Sequence, residues 1–136
     1  MSNPYEPEMT KAYWAKRSEN GTLYLEYPIH GRRIDGLVVL DDGNTSKAAK
    51  PGKEAPKLAE LVGKRLIVIQ TKRNKLGMGV AGQTIISKAM LEEEGISQVE
   101  AVALCLRIDE KILAAMRKQG CHAVAVDDSG GKSSKR

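Results

Sequence analysis

The sequence predicts an α/β domain: a mixed sheet that opens with an antiparallel hairpin and meander and carries flanking helices. Three observations predict it. Gly21 to Leu40 reads as two strands around a His30-Gly31 turn. The apolar runs Leu66 to Ile69 and Val99 to Leu106 have the length of buried strands. Between and after those runs, Ile85, Ile86, Met90 and Leu91, then Ile112, Leu113 and Met116, fall at helical spacing. A hairpin that feeds strands alternating with helices is the signature of a mixed sheet.

The 136 residues suffice for one core, and the domain is expected to span 1–127, with a disordered basic tail over 128–136. With no Phe and one Trp, that core must be largely aliphatic. A formal net charge of +5 leans toward a polyanionic partner, nucleic acid above all. Cys105 and Cys121 are far apart in sequence, so neither a disulfide scaffold nor a zinc site is indicated, and Cys105 reads as a small core residue. No apolar run is long enough for a membrane span and no signal peptide opens the chain, so the expected location is the cytoplasm.

In order, Met9, Tyr13 and Trp14 predict a short helix after Pro7, broken by Ser18 to Gly21. The first strand alternates from Gly21 to Ile29, and Pro28 suggests that it is the edge. The second, Arg32 to Leu40, is apolar on both faces at Leu37 to Leu40 and therefore central. A tight His30-Gly31 turn pairs Ile29 with Arg32, Pro28 with Arg33, Tyr27 with Ile34 and Glu26 with Asp35. Two opposed carboxylates are unfavourable unless a cation or a basic side chain neutralises them. Residues 41–57 lack large apolar side chains and read as a mobile loop. The third core strand, Arg65 to Lys72, ends in Gln70 and Lys72, which lie two residues apart and so share a face. A helix is expected over Gln83 to Glu94, stopped by Gly95, and a last one over Glu110 to Lys118, capped by Asp109. His122 to Val126 is a final strand; neither His30 nor His122 is given a role.

With the third strand antiparallel beside the second, Asp35 lies next to Gln70 and Lys72, and Glu26 reaches the same edge. Asp35, Glu26 and the Gln70 carbonyl are hard oxygen donors of the kind Mg²⁺ prefers. Such an ion lowers the pKa of bound water and offsets charge on a phosphodiester under attack, while Lys72 serves the water or the phosphate as a point charge. Arg32, Arg33, Arg73 and Lys75 are placed to contact phosphates, with Gln83 at the start of the following helix.

This constellation resembles the PD-(D/E)XK nuclease superfamily, with Ile34-Asp35-Gly36 as the first motif and Gln70-Thr71-Lys72 as the second. The resemblance covers roughly Gly21 to Ile108 and implies a restriction-endonuclease-like αβββαβ core, Mg²⁺ or Mn²⁺ dependence, and cleavage of DNA or RNA. Cutting both strands of a duplex with so small a domain calls for a second copy, so a homodimer is expected. The chain departs from the pattern in three places: no Pro precedes Asp35, Gln70 stands where an acidic residue is usual, and Gln83 is followed by Ser87 instead of tyrosine. Two alternatives follow. The site is degenerate and the domain only binds nucleic acid; or Gly77-Met-Gly-Val-Ala-Gly82, a GxGxxG string, binds a dinucleotide with Glu100 as its acidic partner.

Overall fold

The computed structural model describes residues 5–40, the backbone of 44–48, and 55–126. Helix α1 (Tyr5–Arg17) buries Met9, Thr10 and Trp14. Pro7 sits inside its first turn, where a missing N–H costs no intrahelical bond. Glu6 and Glu8 near the start, and Lys16 and Arg17 at the end, complement the helix dipole.

Strands β1 (Gly21–Ile29) and β2 (Arg32–Leu40) form the expected hairpin, with Ile29 opposite Arg32 and Tyr27 opposite Ile34. His30 and Gly31 both have positive φ, the condition for a two-residue turn that matches strand twist. The stretch 41–57, expected to be loop throughout, contains a strand: β3 (Asn44–Ala48) pairs in parallel with β1 from Gly21 to Leu25. The edge position expected of β1 therefore holds only for its second half. Pro28 lies in that half, where its missing N–H removes no ladder bond. Residues 41–43, 49–54 and the predicted tail lie outside the described residues.

A 3₁₀ turn (Leu58–Leu61) leads into β4 (Arg65–Thr71), which is antiparallel to β2. Helix α2 (Met78–Glu93) returns the chain to β5 (Gln98–Cys105), and α3 (Glu110–Lys118) returns it to β6 (His122–Ala125); both strands run parallel to their neighbours. The sheet order is β3-β1-β2-β4-β5-β6. Asp109 caps α3 as predicted, its carboxylate accepting from the N–H groups of Lys111 and Ile112. Helix α2 starts at Met78, not Gln83, because Val80 and Ala81 bury against the sheet and hold the glycine-rich stretch in the helix.

The two faces of the sheet carry separate cores. Leu66 and Val68 of β4 face α2 and α3 and pack with Val80, Leu91, Leu113 and Met116. Ile67 and Ile69 face α1 and pack with Trp14, Val102 and Leu104. Cys105 and Cys121 are buried free thiols on the α2 side.

Helix α1 crosses the sheet at Gly36. A Cβ there would meet Thr10 Cγ2 at 2.7 Å and Leu23 Cδ1 at 3.1 Å. Thr10 cannot yield cheaply, because its hydroxyl donates to the Glu6 carbonyl at 3.0 Å and bonds Thr71 Oγ1 at 2.7 Å. Gly36→Ala is therefore expected to lower stability by about 1–3 kcal/mol through overpacking; thermal or denaturant unfolding measures it.

Candidate functional site

The site is built on a bend shared by β1 and β2. Along β1, Leu23 packs on the α1 side, while Tyr24 and then Tyr27 and Ile29 pack on the α2 side. Along β2, Ile34 packs with Leu37 and Val39 on the α2 side. Spacings of three, from Tyr24 to Tyr27 and from Ile34 to Leu37, break the two-residue period of a strand. Both strands thus change faces at the same level, between the pairs Leu25–Gly36 and Tyr27–Ile34. The residues at that level are Glu26 and Asp35.

The expected opposition of these two carboxylates is thereby altered. The flanking register is as predicted, but the Glu26–Asp35 pair drops out of the ladder. Glu26 takes a left-handed conformation, φ 54°, unusual outside glycine. It turns to the surface and accepts from Arg33 Nη1 at 3.3 Å. Asp35 turns toward β4. Its Oδ2 accepts the Thr71 N–H at 2.8 Å, and its own N–H donates to Gln70 Oε1 at 3.2 Å. Backbone pairing of β2 with β4 ends at Gly36–Ile69, and these two bonds continue the ladder with side chains.

Gln70 is 3% exposed, and its amide is engaged at both ends. The carbonyl serves Asp35, and Nε2 donates to Ser87 Oγ of α2 at 2.8 Å. Ser87, the residue that departs from the tyrosine pattern, is thus what orients the amide.

Glu6 carries no signal of a site in the sequence. It is a buried carboxylate in the first turn of α1, its Oε2 accepting the Arg73 N–H at 3.0 Å. With Glu26 and Asp35 it lines a small cavity of about 50 Å³, closed by Pro7, Thr10, Leu25 and Arg33. Glutamate in a first helical turn is too common to single out; only the crossing at Gly36 brings it here. Burial pushes the Asp35 carboxyl above the usual carboxylate range. The Thr71 N–H opposes this, the charges of Glu6 and Glu26 add to it, and Arg33 offsets part.

Asp35 also faces a second, larger space. A groove of about 650 Å³ runs between the hairpin tip and α2, with Arg32 and Arg33 on one bank, Gln83 on the other, and Asp35 and Gln70 between. Three predicted basic residues lie elsewhere. Lys72 is exposed just past β4, lines neither space, and has no side-chain bond among the described residues. Arg73 packs its guanidinium over the Tyr5 ring at 4.6 Å. Lys75 reaches Asp109 at 4.0 Å, toward α3. The dinucleotide alternative fails on alternation along β5: Glu100 is held by Arg17 of α1 at 2.8 and 3.1 Å, on the face opposite α2 and its glycines.

Solved structures share this fold. One is a repair endonuclease from Pyrococcus abyssi, with a TM-score of 0.65 and 17% identity over 94% of this chain and 48% of that one. Another is EndoMS in complex with double-stranded DNA, with a TM-score of 0.65 and 13% identity over 94% of this chain and 47% of that one. The chain therefore spans about half the length of the structures it resembles. No protein-family model and no curated protein matches it. The likeness confirms the mixed α/β architecture flanked by helices, and at this identity it reaches no further than the fold.

Asp35 titrates at higher pH when folded than when unfolded, so its ionisation opposes folding. The cost is absent below the unfolded value of about 4 and is complete once pH exceeds the folded value. Asp35→Asn, which keeps an acceptor for Thr71, is expected to melt above the parent protein at pH 7 without divalent ions. That gap should close as pH falls toward 4, as paired melting curves across pH will show.

Proposed function

We propose that this chain is a nuclease-type domain that hydrolyses phosphodiester bonds in DNA with the help of a divalent cation. The observation that carries the proposal is the position of Asp35. It is the carboxylate common to the acidic cavity and to the groove with the arginine bank, so one residue faces both a cation and a polyanion. The fold shared with a repair endonuclease and with EndoMS supports the same reading.

The donor set suits a hard cation. Glu6, Glu26 and Asp35 surround one cavity, and the like charges around Asp35 are what a cation relieves. Among the described residues no three such side chains stand close enough together to hold an ion as they are. Asp35 and Glu6 would hold Mg²⁺ or Mn²⁺, with Glu26 closing from the surface bend. The ion, when bound, supplies a Lewis acid for the phosphate and a more acidic water.

The chain's own residues do the rest. Thr71 and Gln70 hold Asp35 through its carboxylate and its N–H. In this arrangement the Gln70 carbonyl, expected as a metal ligand, serves the Asp35 backbone. Arg32 and Arg33 receive the phosphate backbone in the groove, with Gln83 on the opposite bank. Lys72, exposed and unengaged among the described residues, is available to steady the attacked phosphate.

A second reading has its own support. Gln70 is tied to Asp35 and Ser87, as in a site kept for structure, so the domain binds nucleic acid without cutting it. Cleavage assays on single-stranded, duplex and branched DNA with Mg²⁺ or Mn²⁺ separate the two. The nuclease reading expects cleavage that vanishes in Asp35→Ala and falls by about 10²–10³-fold in Lys72→Ala. No cleavage of any form, with salt-sensitive binding that survives Asp35→Ala, establishes the binding module instead. Gln70→Glu adds a second test: it should lower the melting temperature in chelator, and Mn²⁺ should restore it only if the acids around Asp35 take a cation.

A further inference from the structure

The two banks of the groove are chemically unlike. On the hairpin side Arg32 and Arg33 are exposed, and among the described residues Arg33 is held by an exposed ion pair with Glu26. Such a pair is worth little and yields readily to a phosphate. On the other side α2 presents Gly79, Gly82, Gln83 and Ile86, with Ile86 55% exposed. Lys88 is the one basic residue of α2, and it pairs with Glu92. The helix then ends in Glu92 and Glu93, followed by Glu94.

The glycines have no internal purpose. A Cβ at Gly79 or at Gly82 would meet nothing within 4 Å. Gly82 lies inside the helix, where glycine is less favourable than alanine. Their effect is outward: they bare the helix backbone and make that bank shallow beside Ile86.

We propose that the groove takes a single unpaired nucleic-acid strand alongside Asp35. Its phosphates lie toward Arg32 and Arg33, and its bases and sugars lie flat on the glycine-and-isoleucine face of α2. A duplex carries phosphates along both of its edges, so a cleft that grips one needs cations on both banks. Here one bank is cationic, and the other is uncharged and exposes Ile86 and bare glycines, with glutamates beyond. One strand has that same asymmetry, a charged edge and an uncharged face. Among the described residues no aromatic side chain lines the groove, so contact with the bases is by shape and apolar area, and it tolerates any sequence. The inference rests on the nucleic-acid reading above and specifies which form of nucleic acid enters.

The test is fluorescence anisotropy in chelator, with one labelled oligonucleotide used alone and annealed to its complement. The single strand is expected to bind at least about tenfold more tightly, the equivalent of about 1.4 kcal/mol. Gly82→Leu fills the groove from a position where a side chain meets nothing, so it should leave the melting temperature unchanged or raised. It should weaken single-strand binding by about tenfold, the loss of one apolar base contact. Arg32→Ala with Arg33→Ala should weaken binding and flatten its salt dependence. Equal or tighter binding of the duplex overturns the inference while the nucleic-acid reading stands, as does a Gly82→Leu variant that binds as before. Failure to bind either form overturns both.

Discussion

The structure turns on how β2 and β4 finish their pairing. Backbone bonds join them as far as Gly36 and Ile69; beyond that, the Asp35 carboxylate takes the Thr71 N–H, and the Gln70 carbonyl takes the Asp35 N–H. Leaving either donor unsatisfied at this partly buried level would cost about 1–3 kcal/mol. Asp35 is therefore fixed by the needs of two strands and not by its own preference, which would be for water. The Gln70–Ser87 bond passes the constraint on to α2, so the groove bank and the acidic residue are linked through one buried amide.

The same bend relieves two carboxylates that an unbroken ladder would place face to face. Glu26 accepts a left-handed backbone to reach the surface and Arg33. Asp35 stays, ionising less readily than an exposed carboxylate. The change of face at this level also sends Tyr27, Ile29 and Ile34 to the α2 side, which lays the hairpin tip over α2 and opens the groove there. One local departure from strand geometry thus leaves an acidic cavity against α1 and a groove against α2, with Arg33 and Asp35 lining both.

Glu6 reaches the site through packing alone. Gly36 lets α1 lie against the sheet, Thr10 bonds across to Thr71, and one turn earlier Glu6 meets the Arg73 backbone. Glu6 and Thr10 sit on helix α1, and an element of this kind holds side chains more tightly than a loop does. Lys72 differs: it follows β4 on a segment tied by backbone bonds to β5 and the residues after it, with Lys72 N–H donating to the Leu104 carbonyl of β5 at 3.0 Å. Its backbone is fixed while its side chain is exposed.

Much of the fold was legible in the chain itself. The hairpin limits, its turn, the order of the core strands and the Asp109 cap are local events, written in alternation, glycine placement and capping chemistry. The sequence also put Asp35 beside Gln70, because that needs only a register and an antiparallel neighbour. It could not reveal β3, whose polar residues pair through their backbone, or the helical start at Met78, which burial of Val80 and Ala81 imposes. Nor could it show where the polar side chains turn. Strand alternation assumes an unbroken pleat, and the bend at Glu26 and Asp35 breaks it to keep two carboxylates apart. The tertiary structure alone decided that Glu6 joins Asp35, that Gln70 spends its carbonyl on a backbone N–H, and that Arg73 and Lys75 face elsewhere, because each depends on which elements cross and how closely.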